Sequence, residues 1–350
     1  MQEFFEKYGI ANETIAVGVS GGADSLALAL QMQECGIKVV ALTVDHGLRQ
    51  ESYSEAQYVA DLMKSHQIEH HILSWKGAKP QTGIEEAARE ARYNLLFDFC
   101  RKHNIKYLAT GHHLRDQAET FLLRLARGSG LFGLSGILPY SERDGIIILR
   151  PQLDKSPDSL RDYLRAKNIS WIEDPMNNED DYLRVKIRKF LPLMAQELGI
   201  DDKRIAQTAT VLQSSRFYLQ NCCDDFISKY VRRFGDRVAA VSLKRISKTA
   251  MEIARLTLSE LLQEIGQQPY PPEASSVIDI IKQGENFKGC TLSACELEIA
   301  GGKLWIMPQD DNPQVMSSQD WNNFVIKHPN FANSGLPYKV RKAIKKYWKD

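Results

Sequence analysis

Apolar residues in the first half of the chain fall into two alternating patterns. Residues 13–20 (ETIAVGVS), 38–45 (KVVALTVD), 69–75 (EHHILSW), 105–113 (IKYLATGHH) and 145–151 (GIIILRP) are short aliphatic runs of strand length. Residues 25–36, 54–67, 83–104 and 114–128 carry apolar positions at helical spacing, with Gly36 and Gly128 as stops. Strands separated by helices need right-handed crossovers, so the pattern predicts an α/β fold with a doubly wound parallel sheet. From about residue 155 the alternation ends. Residues 156–168 predict a helix opened by Ser-Pro, and 171–194 a polar loop leading into a basic helix. Residues 201–282 read mainly as helix with a break at 266–272, and 291–308 as a hairpin turning at Gly301-Gly302. Residues 309–320 read as a linker and 338–350 as a short basic end. These shifts suggest three parts: 1–200, a smaller, mainly helical 201–308 with its β-hairpin, and a short 309–350. No internal repeat is visible.

Composition narrows this only a little. The 350 residues are 43% hydrophobic and 25% charged, as a globular protein should be. The acidic, interrupted start predicts no signal peptide, and no apolar run approaches the roughly 20 residues that span a bilayer. Cys35, Cys100, Cys222, Cys223, Cys290 and Cys295 form no CxxC pair. That signals neither a zinc ribbon nor a cysteine-held cluster, and it fits reduced thiols in the cytoplasm. A net charge of +1 gives no overall attraction to nucleic acid, so any such binding must come from local clusters.

Ligands of doubly wound sheets sit beyond the carboxyl ends of the strands. Three polar stretches fall there: Ser20-Gly21-Gly22-Ala23-Asp24-Ser25, the stretch starting Asp45-His46, and residues 111–117 (GHHLRDQ). The first is a glycine loop running into a helix, a cradle of backbone N–H groups for an anion, but it lacks the lysine of a Gly-Lys-Ser/Thr phosphate loop. Asp24 beside phosphate makes sense if a Mg²⁺ ion lies between them, or if the carboxylate caps backbone amides. Asp45 and His46 suit a ribose or adenine contact, or a plain turn. Asp116 and Glu119 are i and i+3 on a predicted helix and share a face, either as a functional pair or as a solvated first turn favouring the helix dipole. The glycine-rich 127–136 (RGSGLFGLSG) reads as a lid or as a structural turn.

The SGGADS hexapeptide resembles the loop of the N-type ATP pyrophosphatases, the PP-loop family with an adenine nucleotide alpha hydrolase-like fold. The resemblance implies that ATP is cleaved between its α and β phosphates and that the loop holds the leaving pyrophosphate. Residues 44–52 (VDHGLRQES), 83–96 (GIEEAAREARYNLL), 111–136 and 171–184 (WIEDPMNNEDDYLR) occur in that order. With SGGADS they resemble the tRNA(Ile)-lysidine synthases, densely over residues 15–192 and more loosely over 201–308. This likeness implies a cytoplasmic ligase that adenylates C2 of cytidine 34 in the CAU anticodon of tRNA(Ile), releases diphosphate, and lets L-lysine displace AMP to give lysidine. Decoding then shifts from AUG to AUA, and charging from methionine to isoleucine. One departure stands out: the family usually reads Arg-Asn after the acidic loop, whereas Val185 follows Arg184 here.

Placed on that reaction, Ser20 to Ser25 with Asp45 and His46 would bind ATP, Asp24 through Mg²⁺. Arg92, Asp116 and Glu119 would take lysine, a zwitterion with an extra ammonium. Asp116, Glu119 or His112 could remove its proton. Arg124, Arg127, Arg184, Lys186 and Arg188 would meet the tRNA, with further cations at 161–167, 232–237 and 339–346. A homodimer is plausible on the same resemblance. Three readings compete: a tRNA thiolase, which commonly uses clustered cysteines; an amidotransferase-linked ATP pyrophosphatase, which needs a glutaminase; and a tRNA-binding protein without catalysis.

Overall fold

Each of the five apolar runs of the first half becomes a strand. The computed structural model describes residues 1–47, 52–77, 79–80, 82–173, 182–309, 316–331 and 335–348. In chain order its first elements are α1 (Gln2–Lys7), β1 (Thr14–Gly18), α2 (Ala23–Glu34), β2 (Lys38–Asp45), α3 (Ser52–Ser65), β3 (Glu69–Ser74) and α4 (Ile84–Lys102). There follow β4 (Tyr107–Ala109), α5 (Leu114–Ala126), α6 (Leu131–Leu134), β5 (Tyr140–Arg143), β6 (Ile146–Leu149), α7 (Pro157–Ala166), α8 (Tyr182–Leu198) and α9 (Asp202–Tyr230).

The sheet runs β3-β2-β1-β4-β6-β5, parallel throughout except that β5 pairs antiparallel with β6. β5 alone escapes the strand pattern of this sheet, although the Asp144-Gly145 turn that joins it to β6 is a strong local signal. Both residues have positive φ (52° and 77°), as a two-residue hairpin turn of this twist requires. Alternation along β1 feeds two cores. Ile15 and Val17 pack with α2, with Val59 and Met63 of α3, and with Leu160 and Leu164 of α7. Ala16 packs with Leu96 and Phe97 of α4 on the opposite face. Helices thus cover both faces, which explains the near-continuous apolar runs of β1 and β2. β1 is flanked by β2 on one side and by β4 on the other. The loops leaving β1 and β4 therefore diverge at a topological switch point, the crevice in which such sheets bind ligands.

The chain divides into two compact units, Met1–Arg216 and Phe217–Asp350, the division falling inside α9. The second unit is built on a sheet that the helical pattern of 201–282 does not announce. It comprises β7 (Val231–Arg233), β8 (Ala239–Ser242), β9 (Cys290–Leu292), β10 (Cys295–Ala300) and β11 (Lys303–Pro308), in the antiparallel order β7-β8-β11-β10-β9. Only the β10–β11 hairpin, turning at Gly301-Gly302, matches the sequence pattern. Helices α10 (Leu243–Lys248), α11 (Met251–Gly266) and α12 (Ala274–Gln283) pack an aliphatic core with one face. The other face carries an aromatic core. Trp305 of β11 joins Trp321 and Phe324 of α13 (Ser318–Lys327), Phe331, and Val340 and Ile344 of α14 (Tyr338–Tyr347). The chain end is thus folded against this sheet rather than being only a linker and a basic tail. Ser317 and Asp320 close a capping box at the start of α13.

Candidate active site

The glycine loop is held open by its own hydroxyls. Ser20 N donates to Ser25 Oγ (3.1 Å), and Ser25 Oγ donates back to Gly22 O (3.1 Å). Gly21 lies at φ +86°, and a Cβ there would come within 2.6 Å of Ile172 Cδ1. Ile172 N in turn donates to Gly21 O (2.9 Å), so the chain beyond α7 closes over the loop. Ala23 opens α2, whose first-turn amides have no side-chain cap from Gly22, and Asp24 sits in that first turn. Asp24 therefore does not act as the N-cap.

The end of β4 fits tightly against this loop. A Cβ on Gly111 would meet Ser25 N at 3.0 Å and the Asp24 carbonyl carbon at 3.1 Å, so glycine is needed there for close backbone approach. His113 is the N-cap of α5. Its Nδ1 accepts from Asp116 N (3.3 Å), and Asp116 Oδ2 accepts from His113 N (3.0 Å). His113 Nε2 faces Asp24 Oδ2 at 3.5 Å, which ties the β4 motif to the β1 motif. Burial alone would lower the His113 pKa, but Asp24, Asp116 and Glu119 outweigh it and raise it. By spacing His113 is only a neighbour of the two acids; its bridging position depends on a fold contact that spacing does not reveal.

A cavity of about 730 Å³ opens here. Gly22, Ala23 and Asp24 line it together with Asp116, Glu119 and Arg188, and Trp171 is an aromatic wall. Glu119 is 1% exposed, deeper than a solvated first turn would be. Arg188 pairs with it at 2.7 Å (Nε–Oε1), and Arg184 Nε stands 3.4 Å from Oε2. Two residues expected to meet RNA thus face an acid expected to meet lysine.

Arg92, His112 and His46 belong to a neighbouring cluster outside the lining of that cavity. His112 Nδ1 lies 2.9 Å from Thr110 Oγ1. Burial, opposed by Asp116 and reinforced by Arg150, Arg89 and Arg92, pushes its pKa down to about 4, so the ring is neutral near pH 7. Burial also lowers His46, helped by Arg92 and Lys79 against Asp45, and His46 Nδ1 is buried with no hydrogen-bond partner among the described residues. The Asp45 carboxylate accepts from Gly47 N (2.8 Å). Arg92 acts on both histidines and so links the ends of β2 and β4.

The 127–136 stretch is a pinned turn. Arg124 donates to Gly133 O and Gly136 O, both at 2.8 Å, and Gln213 Nε2 donates to Ser135 O and Ile137 O, both at 2.9 Å. Gln117 Nε2 donates to Ile137 O (2.9 Å), and Ile137 N donates back to Gln117 Oε1 (2.5 Å). Arg127 is exposed at the end of α5, and Lys186 is exposed on α8. Cations of the remaining basic clusters pair with acids: Arg161 with Asp158, Arg165 with Asp162, Lys167 with Glu34, and Arg233 with Glu264. The motif residues Leu48, Arg49, Gln50 and Glu51, and the acidic stretch 174–181, lie outside the described residues.

Among the described residues no group of three or more His, Cys, Asp or Glu is gathered as a metal-ligand set, and no helix is long and apolar enough to cross a membrane. Comparison with known proteins agrees with the geometry. The PP-loop domain family matches residues 1–194. A U34-tRNA thiolase of Methanococcus maripaludis, which carries a [4Fe-4S] cluster, shares the fold with a TM-score of 0.51 at 15% identity, covering 61% of this chain and 78% of its own. Among the described residues no cysteine lines the cavity here. The tRNA(Ile)-lysidine synthase of Ruegeria pomeroyi is 34% identical over 285 residues, 80% of this chain and 68% of the relative. That of Wolbachia pipientis wMel is 34% identical over 323 residues, 87% and 73% respectively. With the glycine loop, the β4 motif and Arg188 of α8 arranged around one cavity, and with likeness extending along most of both chains, the protein belongs to the tRNA(Ile)-lysidine synthase family of PP-loop proteins.

Proposed function

We propose that the chain joins L-lysine to C2 of cytidine 34 in the CAU anticodon of a tRNA(Ile), converting ATP to AMP and diphosphate. The cytidine O2 attacks the α-phosphorus and the Pα–O–Pβ bridge breaks. The lysine Nε, having lost a proton, then attacks C2, and the C2–O bond breaks to release AMP. The observation that carries this reading is one cavity bordered both by the anion-binding loop and by two carboxylates, in a chain of this family.

The loop amides and the first turn of α2 are placed to take the leaving diphosphate. Asp24 is the residue through which Mg²⁺ would be held: its Oδ1 is buried with no hydrogen-bond partner among the described residues. One carboxylate completed by phosphate oxygens and water suits that ion, which when bound neutralises charge on the leaving group. Asp116 and Glu119 suit the lysine ammonium, and Arg92 its carboxylate. Asp116, which lines the cavity, is better placed to accept the lysine proton than His112, whose ring lies outside the lining and is made a weak base by burial, which pushes it down to about 4. Asp45 and His46 lie at the β2 end, where such sheets contact the nucleoside. Arg127, Lys186 and Arg232, all exposed, would meet tRNA phosphates. Arg124 is held to its own loop through Nη1, which donates to two carbonyls.

The test is ATP cleavage with and without a CAU-anticodon tRNA(Ile) transcript. AMP and diphosphate formed only with the transcript, and lost in Asp24→Ala, support the reading. Transcript-independent cleavage, or none with it, refutes it.

A further inference from the structure

Glu119 lines the cavity proposed for lysine, yet its carboxylate is already taken. Arg188 donates through Nε to Oε1 (2.7 Å) and through Nη2 to Oε2 (3.4 Å), and Arg184 Nε stands 3.4 Å from Oε2. One buried negative charge faces two positive ones, so a lysine ε-ammonium approaching Glu119 meets charge of its own sign. The two arginines are i and i+4 on α8 and share a face. That helix is seated by Ile187 and Leu191, which pack with Ala118 and Leu123 of α5. Lys186 and Lys189 are exposed on the same helix, so α8 also presents cations to solvent. The side chains of Arg184 and Arg188 are 35% and 34% exposed against 2% for Glu119, so the guanidiniums sit between the buried acid and water.

We infer that Arg188 sets the order of binding in the proposed reaction. It fills the ammonium subsite on Glu119 until RNA phosphates along α8 draw it away, so lysine is admitted after the tRNA is in place. The inference rests on the lysine-binding reading of Glu119 given above. A guanidinium suits this exchange because it pairs in the same two-pronged way with carboxylate and with phosphate. The arginine can change partner by rotating its side chain while Ile187 and Leu191 keep the helix seated. In the absence of RNA the apparent lysine affinity is reduced by the fraction of chains in which the subsite is open.

The experiment measures the lysine dissociation constant by calorimetry on the full chain without ATP, with and without a CAU-anticodon tRNA(Ile) transcript. Wild type should bind lysine at least about tenfold more tightly with the transcript. Arg188→Gln should bind lysine without the transcript about as tightly as wild type does with it, and Arg188→Lys, which keeps the charge but not the fork, should fall between. Equal wild-type affinity in both conditions overturns the inference whatever the variants do. So does an Arg188→Gln protein that binds lysine no better than wild type. If wild type still transfers labelled lysine to the transcript in these cases, the role of Arg188 alone fails. If neither binding nor transfer occurs, the proposed function fails with it.

Discussion

Replacing Gly111 by alanine tests the contact that joins the two main motifs. The new Cβ would stand 3.0 Å from Ser25 N, 3.1 Å from the Asp24 carbonyl carbon and 3.1 Å from Ser25 Cα. Comfortable carbon contacts lie at about 3.5–4.0 Å, so one backbone must give by roughly half an ångström. The obstructing atoms are main chain in the first turn of α2, a helix whose Leu26, Ala27 and Leu28 are fully buried, so the turn has little room to retreat. Overpacking of this kind costs about 1–3 kcal/mol, and the stiffer unfolded chain returns about 0.4–1. A net loss of about 1–2 kcal/mol should lower the melting temperature by roughly 2–8 °C for a unit of this size. The same shift moves Asp24 and the loop amides, and misplacement on this scale should raise the KM for ATP about tenfold. Thermal unfolding and ATP kinetics on the variant measure both. Gly145→Ala is the control: φ is +77° there but nothing lies within 4 Å, so stability should fall with no change in KM. An unchanged KM for ATP in Gly111→Ala would refute the close approach of β4 to the loop.

Asp24→Asn keeps shape and removes charge; transcript-dependent diphosphate release should fall about 10²–10³-fold while thermal stability holds, and near-normal release would remove Asp24 from the chemistry. His112 is held to about 4 in the folded chain against 6.5 for the ordinary ring, so unfolding takes up a proton between those values. Stability should therefore fall as pH drops from about 6.5 to 4, and His112→Gln should make that fall shallower in denaturant titrations at several pH values; an identical pH slope would contradict the buried neutral ring. His70, pushed down to about 4 mainly by burial, adds a slope of the same sign that this variant leaves in place. Gly136→Ala puts a side chain at φ +66° and drives it onto Gln117 Oε1, which accepts from Ile137 N. A loss of about 2–4 kcal/mol in urea unfolding is expected from strain plus broken hydrogen bonds, and a loss below about 1 kcal/mol would mean the 127–136 turn is loosely held.

What the sequence discloses is local. Short apolar runs mark the strands, and the polar stretches beyond them mark the site, because a parallel sheet exposes its strand ends to ligands. The i, i+3 spacing places Asp116 and Glu119 on one face. It gives no sign that Glu119 is buried beneath Arg184 and Arg188, since those partners lie 65 and 69 residues further along. Gly111 reads as part of a motif, but its reason is a backbone contact with Ser25, 86 residues away in sequence. Arg124 reads as a surface cation, although its Nη1 donates to two carbonyls of its own loop. The Asp144-Gly145 turn is legible by itself, but β5 before it (YSER) carries no aliphatic residue to declare a strand. In the second unit, β7 and β8 have three and four residues, too short for alternation to stand out. The aromatic residues between Trp305 and Trp348 declare themselves as a core only once α13 and α14 fold onto β11.

The central claim is best tested by transfer of radiolabelled lysine, in the presence of ATP and Mg²⁺, to two transcripts: a CAU-anticodon tRNA(Ile) and an elongator tRNA(Met). The account predicts label in the isoleucine transcript alone, abolished by Asp24→Ala. ATP cleaved to AMP with no label in either transcript would contradict it, leaving adenylation standing and lysine excluded as the nucleophile.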